Sequence, residues 1–437
     1  MCLFNNFGRK VVSCLKNIMR LKTLLFLFLF LLFVSGNAMH LLIPMDDVQK
    51  NHLKAYGIAY WVLKKDIEVK WLLNYRGGSF LMQYFPGIED ECTIRGVSFE
   101  NITDVQANAI LAGIARPDVN QDAVSMNKAP KIAVYSPPNK QPWDDAVTLV
   151  LTYAEIDYDV IYDEEILSGK LSEYDWLHLH HEDFTGQFGK FWKVYKHMPW
   201  YRQEVKLNKD MAQKMGFMKV SEMKSFVVQE IEKYVSNGGF LFAMCAATDT
   251  YDIALAATGL DICQAMFDGD PMDSNVDEKL DFNRSFAFKN FKLVKDPNKY
   301  EFSNIDATET RNVSRENDYF TLFDFSAKWD PVPTMLCQNH KKLIKGFLGQ
   351  TTAYRKEVLK SDVLILGENK PAREARYIHG EKGKGFWTFY GGHDPEDYRH
   401  LVGDPPTDLN LHPNSPGYRL ILNNVLFPAA KKKKRKT

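Results

Sequence analysis

The chain has 437 residues, 45% of them hydrophobic and 25% charged, the balance of a globular protein with room for two or three domains or one large elaborated one. Its 55 basic and 55 acidic residues cancel, so it carries no electrostatic footprint for nucleic acid. Six cysteines in a chain of this length do not make a disulfide scaffold.

The N-terminus reads as a signal peptide over residues 1–38. Arg9, Lys10, Lys16, Arg20 and Lys22 form a basic region, and Leu24 to Val34 is an apolar core of eleven residues, too short to span a bilayer comfortably. Ser35-Gly36-Asn37-Ala38 supplies the small residues of a cleavage site after Ala38. The expected mature protein is exported, periplasmic or secreted, and keeps no stable membrane span; the alternative is an uncleaved anchor. No cysteine follows the core, so no lipid attachment is expected. Cys2 and Cys14 leave with the signal, and Cys92, Cys245, Cys263 and Cys337 remain.

Residues 39–128 read as an N-terminal α/β segment. His40 to Pro44 is a strand, and Asp46-Asp47 opens a helical run with Leu53, Ile58, Trp61 and Val62 on one face. Val69 to Leu73 is a second strand, and Tyr75 to Gly78 is a turn. A helix, a strand around Val97 to Ile102 and a helix over Asp104 to Ile114 follow. Residues 116–130, polar with two prolines, read as a linker.

A second α/β domain is expected over 129–430. Ile132 to Tyr135 is a strand, Trp143-Asp144-Asp145 opens a helix, and Tyr158 to Tyr162 and Trp176 to His180 are the next strands. Both segments run strand, Asp-Asp, helix, strand, the order of a duplicated unit. Residues 184–225 read as an aromatic, basic, helical cap. Helical spacing of Val227, Ile231 and Val235 ends at Gly238-Gly239, and Phe240 to Met244 is an apolar run as expected of a strand covered on both faces. Residues 264–335 break the rhythm and read as an insertion. Strands return at Val363 to Leu366, Ala375 to His379 and Phe386 to Tyr390, and a basic tail occupies 431–437.

Three strand ends carry chemistry, because open α/β sheets place ligands beyond the carboxyl ends of their strands. One is His178-Leu179-His180-His181-Glu182-Asp183. A second is Cys245, where a buried strand turns into a helix between the small residues Ala243, Ala246 and Ala247, as at a nucleophile elbow. The third is Gly391-Gly392-His393-Asp394-Pro395-Glu396, whose glycines and proline force a turn with His393 at the rim. Together they offer Cys245 as nucleophile, His393 as its base and Glu396 as the group that orients the base. Asp249 is the one nearby group that opposes a thiolate. His180, His181, Glu182, Asp183, Ala246 and Asp394 would contact substrate. The bland readings are a cysteine acting as a small buried hydrophobe and a histidine bonded to a loop carbonyl. The histidines and acids also compose a rival metal site, although no familiar zinc spacing is present. Asp268, Asp270, Asp273 and Asp277 lack calcium-loop spacing and read as an exposed acidic loop.

Ala243-Met-Cys245-Ala-Ala247 and His393-Asp-Pro-Glu396 resemble the Gly-x-Cys-x-Gly elbow and His-Pro-Glu ending of the class I glutamine amidotransferase-like fold, with both glycines replaced by alanine and Asp394 between histidine and proline. The resemblance covers 131–263 and 345–427. It implies a three-layer, flavodoxin-like α/β core with a mostly parallel sheet, and it makes Cys245, His393 and Glu396 the catalytic set. The ending from Gly383 to Glu396 resembles trehalose-utilisation-type members, which bind or process carbohydrate. The whole chain, from Leu42-Ile-Pro-Met-Asp-Asp47 to Pro405 through Gly417, is similar to a family of exported Bacteroidetes-type proteins carried under the label asparagine synthetase B. The residues for that chemistry are absent: Cys2 lies in the signal, and no Ser-Gly-Gly-x-Asp-Ser loop is present.

The sequence therefore points to an exported thiol-dependent amide or ester hydrolase that uses no cofactor and takes a small-molecule, carbohydrate or peptide ligand. The alternatives are a non-catalytic binding module of the same fold, with Phe184, Phe188, Phe191, Trp192, Tyr195, Trp200 and Tyr201 as a stacking surface, and a metal-dependent hydrolase.

Overall fold

The computed structural model describes residues 39–337 and 341–430; the expected signal segment, with Cys2 and Cys14, and the lysine-rich tail lie outside the described residues. Alternation of apolar side chains sets the first sheet. Its strands β1 (Met39–Ile43), β2 (Val69–Leu73), β3 (Ser79–Gln83), β4 (Glu100–Thr103) and β5 (Asp122–Met126) lie in the order β4-β1-β3-β2-β5, with every neighbouring pair antiparallel. Leu41, Ile43, Trp71 and Phe80 face the main core, whereas Leu42, Leu72 and Leu81 form a separate cluster on the other face.

Three helices belong to this sheet. Helix α1 (His52–Leu63) starts at Asn51, whose side chain accepts from Lys54 N. Helix α2 (Pro86–Arg95) ends at Gly96 in the left-handed region, φ 69°. Helix α3 (Asp104–Ala115) opens with a Thr103–Gln106 capping box and covers the outer cluster. Almost all of α1 is buried, because it lies between the two sheets of the molecule.

The second sheet has ten strands. Its path is β11 (Leu343–Lys345), β10 (Tyr319–Leu322), β13 (Leu364–Asn369), β14 (Glu374–Lys382), β15 (Gly385–Tyr390), β9 (Phe240–Met244), β8 (Trp176–Leu179), β6 (Ile132–Tyr135) and β7 (Asp159–Ile161), with β12 (Tyr354–Arg355) pairing β14. The five strands β15, β9, β8, β6 and β7 are mutually parallel, and the other pairings are antiparallel. The fold is thus α/β, but its main sheet is mixed rather than mostly parallel.

Helices flank both faces. On the side of the first sheet lie α1, α4 (Ala146–Ala154) and α9 (Pro416–Leu426). The closest approach is at Gly57, where a Cβ would stand 1.8 Å from the Ala154 carbonyl oxygen of α4, so no larger residue fits. On the opposite face lie α5 (Asp163–Leu167), α7 (Val220–Asn237) and α8 (Ala247–Ala256), with α6 (Pro199–Lys214) packed outside α7 through a small aromatic cluster.

Three expectations change. The stretch 116–130 is not all linker: Val124 and Met126 are buried, and β5 pairs β2 to close the first sheet. The duplicated unit is not present, since the first sheet is antiparallel and the second begins with parallel strands. The insertion is not separate from the core either, because its strand β10 pairs β13 in the main sheet. Among the described residues no helix is long and apolar enough to cross a membrane.

Candidate active site

The parallel strands end on one edge, and the chain after each of β6, β8, β9 and β15 delivers a polar cluster there. Cys245 follows β9 directly and adopts φ 51°, a left-handed conformation that a residue with a Cβ takes at a cost of roughly 1–2 kcal/mol. Its buried neighbours Ala243, Ala246 and Ala247 leave room for that turn. Ala247 N donates to His180 O at 3.0 Å, tying the elbow to the end of β8. The side chain of Cys245 is 4% exposed. Strain of this kind gathers at functional sites.

His393 follows β15. Gly392, at φ 107°, and Gly391, where a Cβ would meet Thr352 O at 2.5 Å, let the chain turn tightly. His393 N donates to Leu348 O at 2.9 Å, and the imidazole is close enough to Cys245 for the sulfur to raise it. Its Nε2 lies 3.6 Å from Asp144 Oδ1, an ion pair slightly longer than a hydrogen bond. Burial alone would depress this imidazole, but Asp144 and Cys245 together lift it to about 10.

Asp144 is thus the carboxylate beside the His393 imidazole, the place the sequence assigns to Glu396. Glu396 instead pairs with His412 Nδ1 at 3.2 Å. Asp144 also lies 3.1 Å from His400 Nε2, and its carbonyl oxygen lies 2.9 Å from His181 Nε2. Although burial opposes it, contact with His393 and the charges of His393 and His400 hold the Asp144 carboxyl below its ordinary value. The adjacent Asp145 does a different job: it caps α4 by accepting from Val147 N at 2.7 Å and Thr148 N at 3.0 Å, and it faces His178 and His180.

The other expected contacts divide. Asp394 is fully buried and saturated by Glu396 N, Thr407 Oγ1 and Tyr418 OH, each at 2.8 Å, so it shapes its loop rather than a ligand. Asp183 likewise accepts from Thr185 N at 2.7 Å and Gly189 N at 2.9 Å. Burial lowers His180 to about 4, against the opposing charge of Asp145, and lowers His181 well below its ordinary range. Ala246 places its N–H at the start of α8, next to the thiol. Glu182 faces a small cavity beside the site.

Gln350 belongs to the site and carries no sequence signal. Its N–H points at Cys245 Sγ at 3.3 Å. Its side-chain amide donates to Gly189 O at 2.8 Å and Tyr300 O at 3.2 Å, which holds two loops over the thiol. Asp249 is less adverse than its position implies: burial raises its carboxyl to about 7, against the opposing hydrogen bond from Thr351 Oγ1 at 2.8 Å.

Cys92, Cys245, Cys263 and Cys337 are all free. Burial pushes Cys92 up to about 12 and raises Cys263 and Cys337 as well. The nitrogens of His180, His181 and His393 lie within 4.8 Å of one another, as do those of His393 and His400 with an Asp144 oxygen. Yet His180 stacks on His181 at 3.8 Å and 11°, and His393 on His400 at 4.4 Å and 13°. An ion in the plane of one stacked ring stands well out of the plane of its neighbour, so neither stacked pair can share a metal without rotating. Lys219 pairs with Asp261, Asp268 and Asp270 and neutralises much of the acidic loop. The aromatic stretch at 184–201 is only partly open: Phe184, Phe188 and Tyr201 are buried, whereas Phe191, Trp192, Tyr195 and Trp200 are half-buried, with Phe191 and Trp200 packed on Trp143.

No protein-family model matches the chain, and no curated protein does. Among solved structures, two cytoplasmic proteins of Salmonella typhimurium are similar at 11% and 13% identity, with TM-scores of 0.33 and 0.34; each match covers 69% of this chain and 100% of the other. An exo-β-1,4-mannosidase of an Opitutaceae bacterium is similar at 13% identity and a TM-score of 0.28, over 70% of this chain and 37% of that one. Likenesses of this size carry no argument about activity.

Proposed function

We propose that this protein is a thiol-dependent amide or ester hydrolase built on an amidotransferase-like core, and that it acts outside the cytoplasm. The observation that carries the reading is Cys245, held left-handed at the end of β9 beside a His393 imidazole that the sulfur and Asp144 raise. The parallel order β15-β9-β8-β6-β7 supports the core assignment. Cys245 attacks the substrate carbonyl, and the tetrahedral oxyanion is received by the N–H groups of Ala246 and Gln350. His393 returns the thiol proton to the leaving amine or alcohol, leaving a thioester. The neutral imidazole then takes a proton from water as the water attacks, and the acid product leaves with the thiol restored. Asp144 stabilises the imidazolium at each stage. The stacking-surface alternative keeps only Phe191, Trp192, Tyr195 and Trp200, which are half-buried, since Phe184, Phe188 and Tyr201 are buried.

Alkylation of the native mature protein with iodoacetamide, followed by peptide mapping, tests the reading. Cys245 is expected to react faster than Cys92, Cys263 and Cys337 at neutral pH, and His393→Ala is expected to remove that advantage. A Cys245 that stays inert until the chain unfolds would overturn the proposal.

A further inference from the structure

A cavity of about 40 Å³ lies behind His181, between the loop after β6 and the loop after β8. Strand β6 is followed in sequence by β7 on one side and in space by β8 on the other, so this is the point where the strand order reverses. Crevices at such points are where open α/β sheets bind ligands. Two contacts link the cavity wall to the surroundings of the thiol. The His181 ring in its wall is 4.6 Å from the His393 ring. Gly189 in its lining accepts from the Gln350 side chain, and the backbone N–H of the same Gln350 points at Cys245 Sγ.

The charges around the cavity do not balance. Lys224, the cation in the lining, is committed: its Nζ lies 2.8 and 3.0 Å from the Asp163 oxygens and 2.8 Å from Tyr135 OH. Asp183 is saturated by its own loop. Glu204 accepts from the amides of Asn139 and Gln141 at 3.2 Å and of Asn208 at 2.9 Å, all of them neutral donors. Among the described residues the Glu182 carboxyl has no hydrogen-bond or ion-pair partner. Trp143 adds an aromatic wall, and its Nε1, buried, donates to nothing described. The site therefore presents Glu182, whose carboxyl burial raises to about 8 against the charge of Lys224, Glu204 held by neutral amides, an aromatic face and one idle donor, in a space that fits a single small polar group.

We infer that this cavity binds the ammonium group of an amine-bearing substrate, with Glu182 as its counter-charge, Glu204 behind it and Trp143 Nε1 donating to an oxygen of the same molecule. The inference rests on the thiol-hydrolase reading and narrows its substrates to amides or esters that carry a primary amine a short distance from the scissile carbonyl.

The test is affinity alkylation of Cys245 with two matched series, ω-aminoalkyl iodoacetamides and uncharged n-alkyl iodoacetamides of the same chain lengths. At one length the cationic reagent is expected to react about tenfold faster than its neutral match, the size of one charge-assisted contact. Glu182→Gln, which keeps the shape of the side chain, is expected to bring the ratio to one, and Glu204→Gln to reduce it. If Cys245 is selectively alkylated but the ratio is one at every length, the ammonium site is refuted and the thiol reading stands. If no reagent reaches Cys245, the thiol reading falls. Calorimetry of butylammonium chloride against butanol on the Cys245→Ser protein then decides the cavity alone: heat for the amine that disappears in Glu182→Gln supports the site, and no heat overturns it.

Discussion

Replacing Asp144 by asparagine separates the carboxylate placed beside His393 from Glu396, three residues along the chain. Burial pulls the His393 imidazolium down, yet its partners lift it from 6.5 to about 10, a span worth about 5 kcal/mol in favour of the charged ring. Taking half of that span for Asp144, its loss costs the charged form roughly 2 kcal/mol, or about thirtyfold in rate where that form is needed. The assay is the rate of Cys245 carboxamidomethylation in the native protein at neutral pH. Asp144→Asn is expected to slow it by about thirtyfold, whereas Glu396→Gln, whose carboxylate sits on His412, is expected to match the parent. The pH dependence has a definite sign. A histidine raised on folding contributes stability that is fully present below 6.5 and is lost as the pH rises through about 10. The melting temperature of Asp144→Asn should therefore fall furthest below the parent's at mildly acidic pH and converge with it near pH 10. An unchanged alkylation rate in Asp144→Asn, or an equal loss in Glu396→Gln, would refute the assignment.

Two further outcomes follow from features of the same edge. Cys245→Gly removes the thiol but relieves the left-handed backbone at φ 51°, so urea unfolding should show a gain of roughly 1 kcal/mol over Cys245→Ala, which keeps a Cβ there; equal midpoints would show that the elbow is unstrained. Lys224→Met leaves Asp163, fully buried, without its cation, and should cost about 3–5 kcal/mol in the same measurement; a loss under 1 kcal/mol would mean that the carboxyl takes up a proton instead.

Much of the site is legible from the chain, and the illegible part has physical causes. β9 occupies the expected Phe240 to Met244 because Gly238-Gly239 and the small residues after Cys245 punctuate an uninterrupted apolar run. His393 stands at the rim because Gly391-Gly392 cannot continue a strand. Asp144 escapes notice because Asp144-Asp145 reads as a helix start, and a helix start needs only one cap. Asp145 supplies it, and the surplus acid was the available signal. β5 is hidden by its polar surroundings, since only Val124 and Met126 are buried in it. Gln350 acts chiefly through its backbone N–H, which no side-chain pattern reports.

The two halves of the site sit on adjacent strands, with Tyr390 of β15 beside Met244 of β9, yet the insertion and four antiparallel strands separate them along the chain. During synthesis Cys245 emerges well before the imidazole it depends on. β15 can take its place only after nearly the whole chain has been made. On the proposed reading, a chain cut short anywhere before His393 would carry Cys245 without its base, so the order of assembly would itself keep a reactive sulfur out of unfinished protein.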